Sequence, residues 1–526
     1  MLSNSTKVPG INNKAPSGAK AGGMSMNRRH FVQGSVAAAV AASLSGGQAF
    51  GSILQALTEV TSNISAVTGN GAPVVLEKAA LQELSDSLRG GLYLTGSEAY
   101  EKARKVLNKA INKYPAFVVR PSGVADIQNA VTFARERGLL VAVKCGGHSF
   151  SGRSTCDGGM QIDLSGIRGV RVDPKARTAY VEGGSFLGDM DHETMAQGLV
   201  TTAGTVSHTG VGGLTLGGGF GRVARRFGLA LDNVKGVDIV TADGSLRHAS
   251  ADENPDLYWG VRGGGGNFGV VTSFEFALHP MQRQIIGGEV IWPLAAARDV
   301  MRFYGDYCKK MSDDLYLDLV MIAPPHNADA VIMLHACYSG PAERADKVLG
   351  PITGFGKPVA NGIKPMDYVA IQRSWDDSDP RNGGEYIKSG FTREITDDLV
   401  DALVDGFEPH PDRTTQVFYQ CSGGAISRVA DDATAFAHRY ASHSVFTVVA
   451  WEPGVERDPH VRYIRNFWQS VQPHTRGFYT NEVTDEDSQR TVNANYFGNF
   501  DRLLKLKDEY DPTNLFRLNA NIRRDA

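Results

Sequence analysis

The chain has little of what would mark a metalloprotein, a disulfide scaffold or a nucleic-acid binder. Its 526 residues include five cysteines, Cys145, Cys156, Cys308, Cys337 and Cys421, with no CxxC pair and no metal-ligand spacing. The count is odd, so at least one thiol stays free unless it pairs between chains. No HExxH occurs, because His192-Glu193 lacks a following partner, and no metal site is expected. A net charge of −3 offers neither a basic field for nucleic acid nor an acidic tail. Internal repeats and low-complexity segments are absent. What remains is an ordinary soluble composition, 42% hydrophobic and 21% charged, on a chain long enough for two domains.

Glycine is in excess: 60 residues, against an average of about 7%. They cluster in blocks rather than in a repeat, which points to loops that cradle a ligand. The first block, Lys144-Cys145-Gly146-Gly147-His148-Ser149-Phe150-Ser151-Gly152, follows a predicted buried strand, Leu139–Val143. Glycines there let backbone approach a ligand, successive N–H groups can hold an anion, and His148 sits on the lip. In the second block, Gly204 to Gly221, eight of eighteen positions are glycine, more than a packed helix or strand should carry. A flat or extended ligand against bare backbone accounts for that density. The third block, Arg262 to Gly269, contains a formal GxGxxG from Gly264 to Gly269. A dinucleotide fold needs a strand before that motif and a helix after it. Here Val270-Val271-Thr272-Ser273-Phe274 follows, which reads as a strand, so phosphates would be held by loops such as 144–152 instead.

The amino-terminal region reads as an address. Arg28-Arg29 precede Phe31 and the alanine-rich run from Val36 to Leu44, with small residues around Gly47-Gln48-Ala49. This resembles a twin-arginine export signal, which implies the twin-arginine machinery as a partner and a periplasmic or secreted location. The run is too short and too rich in alanine for a stable membrane span. Met24 and Met26 are alternative starts for translation to Met1.

Five segments are expected. Residues 1–50 form the signal region and 51–112 an N-terminal helical segment, with helices predicted over Ala79–Leu88 and Ser97–Asn112. Residues 113–280 bind the ligand, opening with the strand Phe117–Pro121 and the helix Gly123–Gly138, whose Ile127, Val131 and Ala134 share a face. Residues 281–492 alternate strands and helices (Leu294–Lys310, Pro341–Leu349, Asp397–Phe407 and Asp431–Ala441 among the latter), as in an α+β domain on an antiparallel sheet. Residues 493–526 carry a helix, Phe500–Glu509, and a closing turn.

Gly146-Gly147-His148-Ser149, the Gly210–Gly221 block, Asp232-Asn233, the Arg262–Val271 block and Tyr510-Asp511-Pro512-Thr513-Asn514-Leu515-Phe516 occur in an order that resembles the FAD-linked oxidases of the berberine bridge enzyme type, within the vanillyl-alcohol-oxidase superfamily. The resemblance covers roughly residues 93–526. It implies an α+β fold: a two-part PCMH-type FAD-binding domain, completed by 493–526, with an inserted α+β substrate domain. It also implies FAD bonded covalently through His148. The cofactor-binding residues it suggests are Gly146, Gly147, His148, Ser149, Gly152, Ser207, His208, Gly210, Gly212, Gly213, Gly217, Val270 and Asn519. Many relatives add a cysteine anchor in a Gly-x-Cys-Pro context; Val206 and Ser207 stand there in this chain, so single attachment is expected. Cys145 and Cys156 read as buried thiols.

The resemblance further implies hydride removal from a small-molecule substrate, with O2 as the electron acceptor and H2O2 as product. Relatives often draw the base from a Tyr-x-Asn-Tyr strand. This chain reads Tyr479-Thr480-Asn481-Glu482, so the expected catalytic residues are Glu482, Tyr479 and Asn481. On a strand Tyr479 and Glu482 would point to opposite faces. Tyr368, Gln372 and Lys388 are further candidates for the substrate pocket. The leading expectation is an oxidase of a carbinol or amine carbon, in a sugar or a secondary metabolite. The alternatives are a dehydrogenase using another acceptor and a non-catalytic FAD-binding protein.

Overall fold

The computed structural model describes residues 59–376, 383–482 and 488–524. The signal region and its Arg28-Arg29 pair lie outside the described residues. A four-stranded sheet orders Gly91–Leu94, Phe117–Arg120, Met160–Asp163 and Val141–Lys144. Its last three strands run parallel, Phe117–Arg120 and Val141–Lys144 each pairing with Met160–Asp163. The helix Val124–Glu136 covers it with Ile127, Ala130, Val131 and Ala134, the apolar stripe visible in its sequence. Beside it lies a five-stranded antiparallel sheet: Leu246–Ser250, Val234–Thr241, Gly269–Ala277, Thr178–Glu182 and Val170–Asp173.

Two expectations for these parts change. The described part of the N-terminal segment, residues 59–112, adds strands to its helices Lys78–Ser87 and Glu98–Arg104: Ile64–Val67 and Pro73–Leu76 form a ribbon, and Gly91–Leu94 joins the four-stranded sheet. The predicted helix to Asn112 stops at Arg104, whose guanidinium bonds the Asn112 side chain and the Lys113 carbonyl, folding the following chain back on it.

The inserted domain is built on an eight-stranded antiparallel sheet. Its central path runs Gln284–Pro293, Val331–Tyr338, Leu315–Ala323, Thr414–Cys421, His443–Trp451 and Gly384–Thr392. Leu315–Ala323 reads as an almost unbroken apolar run because both faces are covered. On one face pack the helices Ala297–Cys308, Asp397–Gly406 and Arg457–Val471. Ala297, Val300, Met301, Tyr304 and Gly305 bury one stripe of the first. Thr396 caps the second by accepting the Leu399 N–H, with Asp397 and Asp398 in its positive first turn. The opposite face looks onto the glycine blocks.

The segment Asp431–Ala441 is not helical, despite its alanines. Its carbonyls are taken by other elements: Trp259 donates to Asp432 O at 2.7 Å, and Asn499 donates to Asp431 O at 3.3 Å. Arg439 in turn makes a two-pronged, buried ion pair with Asp232, at 2.6 and 2.7 Å. The segment thereby fastens the inserted domain to the motif Asp232-Asn233.

Candidate active site

The strand Val141–Lys144 delivers the first glycine block to a cavity of about 710 Å³. Gly146 lies back to back with Gly210: a Cβ on Gly146 would stand 2.3 Å from the Gly210 nitrogen, which excludes every other residue. Gly147 has φ +71°, a left-handed turn that swings the chain outward at His148. The His148 ring is held from two sides. Its Nε2 lies 2.8 Å from Nδ1 of His208, and its Nδ1 lies 3.3 Å from the Thr209 hydroxyl. Burial pushes the neighbouring Cys145 thiol up to about 11 and the Cys156 thiol up to about 12, so both are neutral thiols in place.

The second block contains a short helix, Val211–Gly217, where the glycine density argued against one. Its bareness is used for close docking. A Cβ on Gly217 would lie 2.2 Å from Asn481 Oδ1, and at Gly213, on the cavity wall, a Cβ would meet no protein atom within 4 Å. The third block has the helix Pro255–Val261 before it and the strand Gly269–Ala277 after it, the reverse of the dinucleotide fold.

Thr480–Glu482 is a tight 3₁₀ turn and not a strand. The Glu482 N–H donates to Tyr479 O at 3.0 Å. In such a turn residues three apart eclipse, so Tyr479 and Glu482 both reach the cavity wall. The Tyr479 hydroxyl accepts from the Gly219 N–H at 2.8 Å and from the Asn481 amide at 3.0 Å. Asn481 also donates to Leu214 O at 3.1 Å. Burial holds the Tyr479 phenol well above its ordinary range. Glu482 is different: its Oε2 is buried without a hydrogen-bond partner, and burial, then the nearby Asp318, raises its carboxyl to about 8.

Opposite the glycine loops stands one face of the large sheet. Cross-strand neighbours Met333, Val320, Phe418 and Phe446 form an apolar row on the cavity wall. Phe418 stacks on Phe446 with centroids 4.8 Å apart, and Trp375 meets Phe418 edge-on at 5.4 Å. The adjacent row is polar: Glu289, His335 and Asp318 are successive cross-strand partners. His335 Nδ1 lies 3.1 Å from Glu289 Oε1, while burial drives the imidazole down to about 4, so it is neutral. Arg222, fully buried, donates to His335 Nε2, Thr205 O and Gln372 Oε1, each at 3.2 Å. Gln372 passes the chain to Asp191 Oδ2 at 3.1 Å.

Most expected site residues meet at this cavity: Gly146, Gly147, His148, Ser149, Gly210, Gly212, Gly213, Val270, Tyr479, Asn481, Glu482 and Asn519 all line it. Four expected cofactor contacts do not. Gly152 packs on Ile111, Gly217 on Asn481, and His208 stands behind His148. Ser207 binds Asp376 through both its N–H and its hydroxyl, at 2.8 and 2.5 Å. Tyr368 and Gln372 are buried beneath the wall, and Lys388 also falls outside it. The cavity-wall residues Trp375, Gln416, Phe418, Gln420 and Phe446, on the side of the large sheet, were missed. Their signal is the period-two alternation Gln416-Phe418-Gln420 within Thr414–Cys421.

A cavity lined by glycine backbone and His148 and faced by an aromatic sheet wall fits a flat cofactor. These features define the class, and the chain belongs to the FAD-linked oxidoreductases of the berberine bridge enzyme type. An FAD binding domain model matches residues 115–250, and a model described as berberine and berberine like matches residues 479–523. An FAD-linked oxidoreductase of Dictyostelium discoideum is 31% identical over 446 residues, covering 84% of this chain and 96% of that protein. The crystal structure of 6-hydroxy-D-nicotine oxidase from Arthrobacter nicotinovorans superposes with a TM-score of 0.76 at 25% identity, covering 84% of this chain and 99% of that one. Glucooligosaccharide oxidase from Acremonium strictum, described with a 6-S-cysteinyl, 8α-N1-histidyl FAD, gives a TM-score of 0.73 at 25% identity, covering 82% and 96%.

Proposed function

We propose that this chain is an oxidase that anchors FAD through His148 alone and uses Glu482 to take a proton from a carbinol or amine substrate. The observation that carries the reading is one cavity joining the His148 loop and the glycine backbone to the unpartnered Glu482 carboxyl. FAD held there would supply the hydride acceptor and, with O2 as the final acceptor, the route to H2O2. Every other task falls to the chain. The loop 145–149, Gly210, Gly212, Gly213 and Asn519 would hold the cofactor. Phe418, Phe446 and Trp375 form the surface against which a substrate ring packs. Glu482 Oε2 accepts the hydroxyl or amine proton as the neighbouring carbon is oxidised. Tyr479 and Asn481 act by position: they tie the Thr480–Glu482 turn to the helix Val211–Gly217 and so fix the base against the cofactor loops.

Val206 at the place of the second anchor supports single attachment, in contrast to the cysteinyl and histidyl bonds of glucooligosaccharide oxidase. The named relatives include a nicotine oxidase and an oligosaccharide oxidase, which supports keeping both amines and carbinols as substrates. Arg28-Arg29 and the run after them support export in folded form through the twin-arginine route. Among the described residues, no helix is long and apolar enough to cross a membrane.

The test is peroxide release from the purified protein across a panel of amines and carbinols, with flavin bleaching followed in parallel. Bleaching with stoichiometric peroxide supports the oxidase. Bleaching without peroxide assigns a different acceptor, and no bleaching by any member of the panel overturns the catalytic reading.

A further inference from the structure

On the helix-covered face of the large sheet, away from the flavin cavity, three donor side chains converge. Cys308 ends the helix Ala297–Cys308, Cys421 ends the strand Thr414–Cys421, and His443 opens the strand His443–Trp451. Cys421 and His443 are direct cross-strand partners. One ligand atom from each of the three lies within 4.8 Å of the other two. No short-range motif marks the cluster, because its donors come from three separate elements.

The surroundings are those of a held ligand set rather than of packed apolar side chains. The His443 ring is 3% exposed. Its Nδ1 lies 2.8 Å from the Ser442 hydroxyl, while its Nε2 is buried with no hydrogen-bond partner. The Ser442 hydroxyl donates to Thr392 O at 3.3 Å and so can accept from Nδ1–H, the tautomer that leaves Nε2 with a lone pair for a metal. The rings of Tyr304 and Tyr419 flank the imidazole at 5.2 and 5.7 Å and keep water out. The Arg225 guanidinium lies 4.0 Å from Cys421 Sγ, close enough to stabilise a thiolate.

We propose that Cys308, Cys421 and His443 bind a thiophilic d10 cation, Zn²⁺ or Cu⁺. Two soft sulfurs and one imidazole select such ions over hard cations, which prefer oxygen. On binding, each thiol gives its proton to solvent and the imidazole contributes a neutral lone pair. Three protein donors satisfy Cu⁺, whereas Zn²⁺ would need a water as fourth ligand. The ion would clamp the end of one helix to two strands of the sheet whose other face meets the substrate.

The experiment uses the full-length flavoprotein, stripped with chelator and then offered ZnCl2 or a buffered Cu⁺ source. Metal retained after gel filtration is counted by mass spectrometry. Expected is one equivalent per chain, a raised Tm on loading, and protection of Cys308 and Cys421 from alkylation; which ion is retained identifies the cation. In C308S and C421S retention should fall at least about tenfold, and in S442A affinity should drop by about 10–100-fold. An unchanged flavin spectrum in C308S shows that the variant is folded. Three results overturn the proposal: no retained equivalent of either ion, equal retention in wild type and C308S, or a mass two hydrogens short that marks a Cys308–Cys421 disulfide instead.

Discussion

His148 Nε2 and His208 Nδ1 lie 2.8 Å apart with their rings tilted by 38°, so one nitrogen donates and the other accepts. When His148 donates from Nε2, its Nδ1 carries the lone pair, facing the Thr209 hydroxyl at 3.3 Å. That is the tautomer a histidine needs to bond carbon through Nδ1. His208 lies off the cavity wall, behind His148.

In acid-denatured protein on a gel, flavin fluorescence should stay with the wild-type band and vanish from H148A. H208A should still bind FAD, yet carry a covalent fraction several-fold lower at equal expression. Fluorescence retained in H148A would place the anchor elsewhere.

Glu482 should govern the pH dependence of flavin reduction. Burial first, then Asp318, raises its carboxyl to about 8, and a base must be deprotonated. Stopped-flow reduction rates should therefore climb with pH through about 8 and level off above it. E482Q should abolish that limb and slow reduction at least about tenfold, while D318N should move the limb to lower pH. A wild-type profile in E482Q would remove Glu482 from the chemistry.

Tyr479 should behave as a fastener. Y479F leaves the buried Gly219 N–H without its 2.8 Å acceptor, at a cost of about 1–3 kcal/mol. Urea melts should show that loss. The pH limb of flavin reduction should keep its midpoint if Glu482, and not the phenol, is the base. A shifted or vanished limb in Y479F would make the phenol part of the proton transfer.

Asp191 should subtract stability as pH rises. Burial lifts its carboxyl to about 7, against opposing pulls from Gln372 and Arg222. From the ordinary carboxylate range up to about 7 the folded chain keeps a proton that the unfolded chain has lost, so stability falls with pH across that window, by at most about 1.4 kcal/mol per unit. D191N should remove this slope. Urea midpoints of the two proteins at about pH 5 and about pH 7 would converge or diverge accordingly; an identical slope would assign the proton to another group.

Much of the frame is legible along the chain because it follows local periodicity. Phe117–Arg120 and Val124–Glu136 match their predicted positions, since alternation and the 3.6-residue stripe were both clear. The misread pieces share one cause, bonding partners remote in sequence. The turn at 479–482 is set by Gly217 and Gly219, over two hundred residues earlier. The 431–441 segment yields its carbonyls to Trp259 and Asn499 instead of to its own turns. Ser207, expected at the cofactor, is drawn away by Asp376. The glycine blocks and His148 were readable because bare backbone at a strand end has few other uses.

The cavity wall includes Phe516, Leu518, Asn519 and Ala520, which follow the whole inserted sheet in the chain. Asn267 holds Ala520 O at 3.0 Å, and Lys507 bridges Asn267 O to Asp511, whose carboxylate accepts the Leu515 and Phe516 N–H groups. A ribosome therefore delivers the loop of His148 some 370 codons before the strip that closes around it. The cavity wall is therefore complete only once the last strip of the chain has been made, and a stop codon between the His148 loop and Phe516 removes that part of the wall.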